Sequence, residues 1–187
     1  MQCKFDEVDL KIMKSLSDDC RKSTTQIAKE VSISRPTAIA RIKGLIENRL
    51  VDFGTKVNVL NMGFKMALLN LEADTIESKQ EIISKLEACP RVLQLIQTIE
   101  KPCYQALVFA ENAETLLSTI ECLRDVFSAR IVTWQRAKPI IGESFDLKIF
   151  LEKCDLTPCG KKCGNCSNYR EAECVGCPAA KDYKGSL

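Results

Sequence analysis

The chain has 187 residues, of which 45% are hydrophobic and 28% are charged, and its formal net charge is only +2. This length favours two compact units plus a small appendage, and the small charge excludes binding of nucleic acid by bulk charge alone. The sequence shows no apolar run long enough to cross a bilayer and no signal segment. We therefore expect a soluble, cytoplasmic protein without a membrane partner.

Three short helices are predicted in the first 50 residues. Apolar residues at positions 10, 12, 13 and 16 follow an acidic start, which is typical of an amphipathic helix with negative charge near its positive end. The segment from Ser23 to Val31 offers a capping hydroxyl and a short apolar face. A third helix begins after Ser34, which can cap it, and it tolerates Pro36 because the missing N–H has no helical partner in the first turn.

The third helix carries the residues that we expect to contact DNA. Its predicted core face consists of four apolar residues, Ile39, Ile42, Leu45 and Ile46. A helix, a short helix, a tight turn and a helix with a basic outer face form the helix-turn-helix arrangement, whose last helix enters the major groove. Arginine can pair with guanine, and hydroxyl groups can bind phosphate or a base edge. The candidate DNA-binding residues are Ser34, Arg35, Pro36, Thr37, Arg41 and Lys43.

The pattern changes after Gly54 to alternation and then to a β-α-β-β-α-β order. Strand candidates are 65–72, 92–99, 104–110 and 129–135, and helical patterns at 76–88 and 113–126 lie between them. Two helices over one face of a four-stranded antiparallel sheet form the ferredoxin-like layout. The predicted fold class is therefore α+β, with a winged-type helix-turn-helix, a ferredoxin-like βαββαβ domain and a small cysteine-rich metal-binding tail.

The predicted divisions follow these changes of pattern. They are a helix-turn-helix domain at 1–53, a linker strand or hinge at 54–64, the ferredoxin-like domain at 65–137, a linker at 138–153 and the metal-binding module at 154–187.

Motifs in the first 64 residues, among them Asp19-Cys-Arg-Lys22, Ser32-Ile-Ser-Arg-Pro-Thr37 and Asn61-Met-Gly63, follow a recognisable order and spacing. They are similar to the N-terminal domain of the Lrp/AsnC (leucine-responsive regulatory protein) family. The resemblance implies a transcription regulator whose second domain makes it a homodimer or higher homo-oligomer, and which binds roughly palindromic operator or promoter DNA. Independently of the resemblance, two-fold pairing doubles the base pairs that a single helix-turn-helix unit can contact.

One loop departs from the family pattern. Members that sense amino acids usually carry a Gly and an Asp between the middle strands of the sheet, whereas this chain has Glu100-Lys-Pro-Cys-Tyr104 there. An amino-acid effector is therefore doubtful.

Eleven cysteines without a single histidine are the most unusual feature of the composition. Five of them have the spacing C-x3-C-x2-C-x7-C-x2-C-P, which brings several thiolates within reach of one centre. We predict that four of these five bind metal: Cys159, Cys163, Cys166, Cys174 and Cys177. Buried or incidental thiols are expected at Cys3, Cys20, Cys89, Cys103 and Cys122.

Two metal sites are compatible with this segment. Residues 154–187 have too few large apolar side chains for a core, so either a metal orders them or they are disordered. Five cysteines where zinc needs four, with Pro178 after Cys177, favour a [4Fe-4S] iron-sulfur cluster that senses redox state, oxygen or iron. The alternatives are an all-thiolate structural zinc site and a metal-free thiol-disulfide switch.

No enzymatic activity is expected. The C-x3-C-x2-C spacing also occurs in radical S-adenosylmethionine enzymes, but these need a large barrel after the motif and only ten residues follow Cys177. The sequence also has no histidine for acid-base work and no phosphate-binding glycine loop. An electron-transfer or metal-binding protein with a degenerate first domain is a further alternative, against which the intact cap, proline and basic face of the third helix argue.

Overall fold

The computed structural model describes residues 5–72, 75–100, 104–126 and 130–187. It divides the chain into two compact units, Met1–Thr55 and Lys56–Leu187. Within the described ranges, no helix is both long enough and apolar enough to span a membrane. The predictions made for Cys3 and for the loop residues Lys101, Pro102 and Cys103 lie outside these ranges.

The first unit contains three helices, α1 (Glu7–Asp18), α2 (Thr24–Val31) and α3 (Arg35–Glu47). Each begins at a side-chain cap, because Asp6, Ser23 and Ser34 accept hydrogen bonds from backbone N–H groups of the first turn. Five buried apolar side chains form the core between the helices: Ile12, Leu16, Ile27, Val31 and Leu45. The three predicted helices are confirmed.

The buried face of α3 differs from the predicted one. Ala38 is fully buried and Leu45 nearly so, whereas Ile39 and Ile46 are 45% and 43% exposed. Ile42 packs partly buried against the same core. The true face repeats as Ala38, Ile42 and Leu45, the helical spacing of four and three. The pattern of large apolar residues does not indicate this face, because the most deeply buried position is occupied by a small residue, Ala38.

The second unit is built on a four-stranded sheet. In chain order it runs β1 (Lys56–Asn58), β2 (Lys65–Glu72), α4 (Ile76–Ala88), β3 (Val92–Gln97), β4 (Tyr104–Ala110), α5 (Ala113–Val126), β5 (Arg130–Arg136) and β6 (Ser144–Asp146). The sheet has the order β3-β4-β2-β5, and each pair is antiparallel. The predicted β-α-β-β-α-β layout is confirmed.

Each face of this sheet carries its own apolar cluster. On one face, sheet residues such as Leu69 and Val108 pack against Ile82 and Leu86 of α4 and against Leu116 of α5. On the other face, Phe64 and Phe109 stack with their ring centroids 5.7 Å apart, within a smaller cluster that also contains Val59 and Met66. The helices therefore cover the first face only.

Strands β1 and β6 pair with each other as a two-stranded antiparallel ribbon, with Val57 opposite Phe145. The segment 138–153, which was predicted as a linker, thus contributes a strand. The sequence predicted a winged-type helix-turn-helix, with β-structure beside the three helices. Strand β1, which follows these helices in the chain, instead pairs with β6 within the second unit. Both strands are only three residues long, too short for their alternation to identify them in the sequence.

Residues 154–187, which we call the tail, are the last part of the second unit and pack against the rest of it. They contain a 3-10 turn (Cys163–Asn165), a short helix α6 (Ser167–Arg170) and a parallel bridge between Cys154 and Ala180. Their buried residues are small ones, including Thr157, Ala179 and Ala180. Hydrogen bonds join this segment to α5 and to Arg91, which directly precedes β3, and the prediction that a metal orders it stays a prediction.

Candidate nucleic-acid interface and metal centre

The turn before α3 presents the predicted DNA-binding residues to solvent. Ser32 adopts a left-handed conformation at the end of α2, which closes the tight turn between the helices. Ser34 accepts a hydrogen bond from the Thr37 N–H at 3.2 Å, and the hydroxyls of the two residues lie 2.7 Å apart. Ser34, Arg35, Pro36 and Thr37 are all exposed, so this end of α3 is free to meet a phosphate or a base edge.

Arg41 has a different environment from the other candidates. Its guanidinium donates hydrogen bonds to carboxylates of Asp6 at 2.7 Å and Asp9 at 2.9 Å, and its side chain is 33% exposed. The pKa of Asp6 is lowered, first by the Asp9 N–H of the capping box and then by Arg41. Arg41 therefore ties α3 to the start of α1, and a base contact would have to compete with these two carboxylates.

The outward face of α3 includes two residues that the sequence interpretation did not select. Ile39 and Ala40 are exposed between Arg35 and Lys43. Lys43 is exposed as well and forms only a long ion pair, 3.6 Å, with Glu47. Apolar side chains at such positions contact the methyl group of thymine in DNA complexes. The sequence predicts Ile39 on the core face of α3, so its part in the outward face is visible only in the structure.

Most of the cysteines line one cavity of about 90 Å³ in the second unit. We call it the cysteine cavity. Its lining includes seven of them, Cys89, Cys122, Cys159, Cys163, Cys166, Cys174 and Cys177. All five predicted metal ligands therefore line the same cavity.

Two of the seven, Cys89 and Cys122, were expected to be buried or incidental thiols; Cys89 is buried as expected, and both lie at this cavity. Cys89 follows α4 and Cys122 lies on α5, so both belong to the sheet part of the unit. The signal that could have identified Cys122 is a polar stripe on α5. Thr115, Ser118 and Cys122 share one helix face, which is unusual for a helix already packed on a sheet.

Backbone N–H groups point at two of the tail sulfurs. The Gly176 N–H lies 3.4 Å from Sγ of Cys174, and the Cys177 N–H lies 3.4 Å from Sγ of Cys163. The second contact joins the two C-x2-C pairs. Burial raises the pKa of the Cys163, Cys174 and Cys177 thiols, that of Cys177 to about 12. A bound cation would be needed to hold these sulfurs as thiolates at neutral pH.

Cationic side chains also line the cysteine cavity, namely Arg91, Lys161 and Lys162. Arg91 is nearly fully buried, pairs with Glu111 at 2.6 Å and donates to the Gly176 carbonyl at 2.6 Å. Four thiolates around a metal centre leave a net negative charge, which such neighbours compensate. Within the described residues, no three Cys, Asp or Glu side chains lie close enough together to share a single ion.

Comparison with known proteins identifies the first unit. Residues 5–46 match the model of the AsnC-type helix-turn-helix domain. The HTH-type transcriptional regulator Ptr1 of Methanocaldococcus jannaschii is 31% identical over 129 residues, which cover 68% of this chain and 82% of that protein. The HTH-type transcriptional regulator LrpA of Pyrococcus horikoshii is 27% identical over 117 residues, or 62% of this chain and 83% of that protein.

Solved structures show the same fold. The crystal structure of the Mycobacterium tuberculosis leucine response regulatory protein LrpA superposes with a TM-score of 0.65 at 16% identity, covering 74% of this chain and 97% of that one. Bacillus subtilis LrpC gives a TM-score of 0.59 at 18% identity, with the same coverage. The fold and helix-turn-helix define a DNA-binding transcription regulator. The chain belongs to the Lrp/AsnC family.

Proposed function

We propose that this regulator holds a [4Fe-4S] cluster in the cysteine cavity and that the state of the cluster controls binding of double-stranded operator or promoter DNA. The protein acts as a homodimer or higher homo-oligomer and responds to redox state, oxygen or iron. The observation that carries the proposal is the collection of seven cysteines around one cavity. Their chemistry suits iron and sulfide, since Fe–S clusters are held by cysteine thiolates.

The size of the cavity favours a cluster over a single ion. Zinc in a four-cysteine site lies about 2.3 Å from each sulfur and leaves no open space among them. Here the cavity that the cysteines help to line has a volume of about 90 Å³, roughly the space of several buried waters. A cubane of four irons and four sulfides needs its four thiolates further apart than one ion does.

A structural zinc site remains the alternative function of the tail. The contact between the Cys177 N–H and Sγ of Cys163 joins the two C-x2-C pairs, although their sulfurs would have to move closer together to bind one zinc ion. Bound zinc would be redox-inert, so it would stabilise the tail without sensing.

Control of DNA binding by the cluster requires a difference in free energy between two states of the protein. Couplings of this kind amount to about 1–3 kcal/mol, or roughly 5- to 150-fold in affinity. The four thiols that bind the cluster become thiolates when it forms and return to thiols or disulfides when it is lost. The tail contacts α5 and Arg91 of the domain expected to mediate oligomer formation, so changes in the tail can reach the assembly.

Metal analysis and DNA binding together test the proposal. Protein purified without oxygen is expected to hold about four irons and four sulfides per chain, with a broad absorption band in the visible blue. Its affinity for its own promoter DNA is then measured at fixed salt before and after oxidation of the cluster. Equal affinity of the loaded and the cluster-free protein would contradict the control mechanism, and about one zinc in colourless protein would leave the tail structural.

On the DNA side, Arg35 and Arg41 offer a matched pair of substitutions. We expect Arg35→Ala to weaken specific DNA binding by roughly 5- to 150-fold, which corresponds to the usual cost of about 1–3 kcal/mol for one bidentate base contact, and to leave the folding stability unchanged. Arg41→Ala is expected to destabilise the first unit, because it leaves Asp6 and Asp9 without their partner. If both variants lose only DNA affinity, Arg41 contacts DNA directly as the sequence predicted.

A further inference from the structure

Helix α5 faces the tail with a row of four side chains, Thr115, Ser118, Cys122 and Asp125. Their spacing of three, four and three residues places them on one side of the helix. The opposite side of α5 is occupied by the sheet, since Leu116, Ile120 and Leu123 are buried in its core. The helix is therefore covered on two sides, by the sheet and by the tail.

Three positions of this row hold the tail through hydrogen bonds or an ion pair. The Thr115 hydroxyl accepts from the Val175 N–H at 3.2 Å, and the Ser118 hydroxyl accepts from the Asn168 amide at 3.0 Å. Lys161 donates to the Asp125 carboxylate at 2.9 Å. These contacts fix the position of the tail along the axis of α5 and the direction in which it crosses the helix.

Cys122 is the fourth position of the row, and it lines the cysteine cavity. Cys159 and the other four cysteines of the tail spacing line the same cavity. Cys122 and Cys159 are both free thiols. Cys122 thus shares one cavity with all five predicted tail ligands.

We propose that Cys122 is a ligand of the metal centre in the cysteine cavity, so that the ligand set joins helix α5 to the tail. This inference rests on the proposed function, because it assigns a ligand to the same centre. It changes the predicted ligand set, which drew all four sulfurs from the tail. The remaining three ligands come from the five tail cysteines.

The position of Cys122 gives it two advantages as a ligand. The buried neighbours Ile120 and Leu123 fix its backbone before any metal binds, so little conformational entropy is lost when its sulfur coordinates. A bond from α5 to the metal also ties the presence of the cluster to the position of a helix in the sheet domain. If all ligands came from the tail, loss of the cluster would change the structure of the tail without directly affecting α5.

Cys89 provides the matched control, because it lies on the same side of the cavity. Its side chain is only 9% exposed, and it follows α4, outside the row of α5 that contacts the tail. The comparison of Cys122→Ala with Cys89→Ala therefore separates loss of a ligand from loss of a side chain in the cavity wall.

The experiment compares wild type, Cys122→Ala, Cys89→Ala and Cys20→Ala in the full-length chain, with Cys20 as an exposed cysteine of the first unit. Each protein is loaded anaerobically with ferrous iron and sulfide, and iron per chain, the electron paramagnetic resonance spectrum of the reduced sample and the midpoint potential are measured. We expect Cys122→Ala alone to lose at least one iron of four. Cys122→Ser is expected to retain iron with a shifted potential, since oxygen replaces sulfur in the first coordination sphere.

The outcomes separate the two proposals. If wild type takes up no iron, the proposed function fails. If wild type binds about four irons and Cys122→Ala matches Cys20→Ala in iron and spectrum, the inference is wrong and the proposed function stands. Equal losses in Cys122→Ala and Cys89→Ala would also overturn it, because packing of the cavity would explain both. Should Cys122→Ala fail to fold, an unshifted potential in Cys122→Ser overturns the inference.

Discussion

The first unit and the tail reach order by different means. The helices of the first unit enclose large apolar side chains such as Ile12, Ile27 and Leu45, and each helix has its own cap. The buried residues of the tail are small, and a buried arginine, hydrogen bonds and cysteines hold it to the sheet domain. An apolar core tolerates many surface substitutions. A tail held by a few polar contacts does not, so single changes should affect the two regions very differently.

The largest effect is expected at Arg91. Arg91→Ala removes the contact to the Gly176 carbonyl and leaves the nearly buried Glu111 carboxylate without its cation, with only the Tyr183 hydroxyl still donating to it, which costs about 3–5 kcal/mol. Urea denaturation of the full-length protein measures the loss, and hydrogen exchange should show the tail exposed before the helices of the first unit. Arg124→Ala, an exposed arginine of α5, should change stability by less than about 0.5 kcal/mol. Similar values for both variants would contradict the role of Arg91.

Two glycines of the tail allow a sharper test. Gly176 has φ of +89°, and an added Cβ would lie 3.3 Å from both the Tyr169 ring and Cα of Tyr183. Gly160 has φ of +81° but open space around it. Gly160→Ala should cost only the backbone strain, about 1 kcal/mol, and Gly176→Ala should cost more, up to about 3 kcal/mol. Thermal denaturation of the metal-free protein compares them, and equal costs would show that the tail yields at Gly176.

In the first unit, loss of a cap should have a modest effect. Ser23→Ala and Ser34→Ala each remove a cap of one helix and should cost about 1 kcal/mol, measured by urea denaturation. Only Ser34→Ala should also weaken DNA binding, because Ser34 lies at the exposed start of α3 next to Arg35. Equal DNA affinities of the two variants would remove Ser34 from the DNA interface.

The smallest effect is expected from acid. Asp6 has a lowered pKa through the Asp9 N–H and Arg41, and Glu30 has one through Lys22 and Ser15. A carboxylate with a lowered pKa stabilises the fold above its unfolded pKa, and this contribution is lost as pH falls through the folded pKa. The first unit should therefore lose a little stability below about pH 4. Hydrogen exchange of its helices between pH 5 and pH 3 checks this, with Arg41→Ala expected to reduce the change.

The regular elements were predictable because each follows from local pattern. The ends of α4, α5, β2 and β4 agree with the sequence, since a helix of thirteen residues or a strand of seven shows its period clearly. The third helix was located correctly, but Ala38 and Ile39 exchanged places between core and surface. Three-residue strands such as β6 were missed because pairing with a distant partner, and not local preference, makes them strands.

The sequence by itself determined the class of the protein, the helix-turn-helix and the spacing of five cysteines, because these depend on residues that are neighbours along the chain. Tertiary structure alone decided which groups meet across long separations. It pairs Arg41 with Asp6, forms the hydrogen bond from Arg91 to the Gly176 carbonyl, and places Cys89 and Cys122 in the same cavity as the tail cysteines. Each contact joins residues more than thirty positions apart, and no local period of a helix or strand encodes such a meeting.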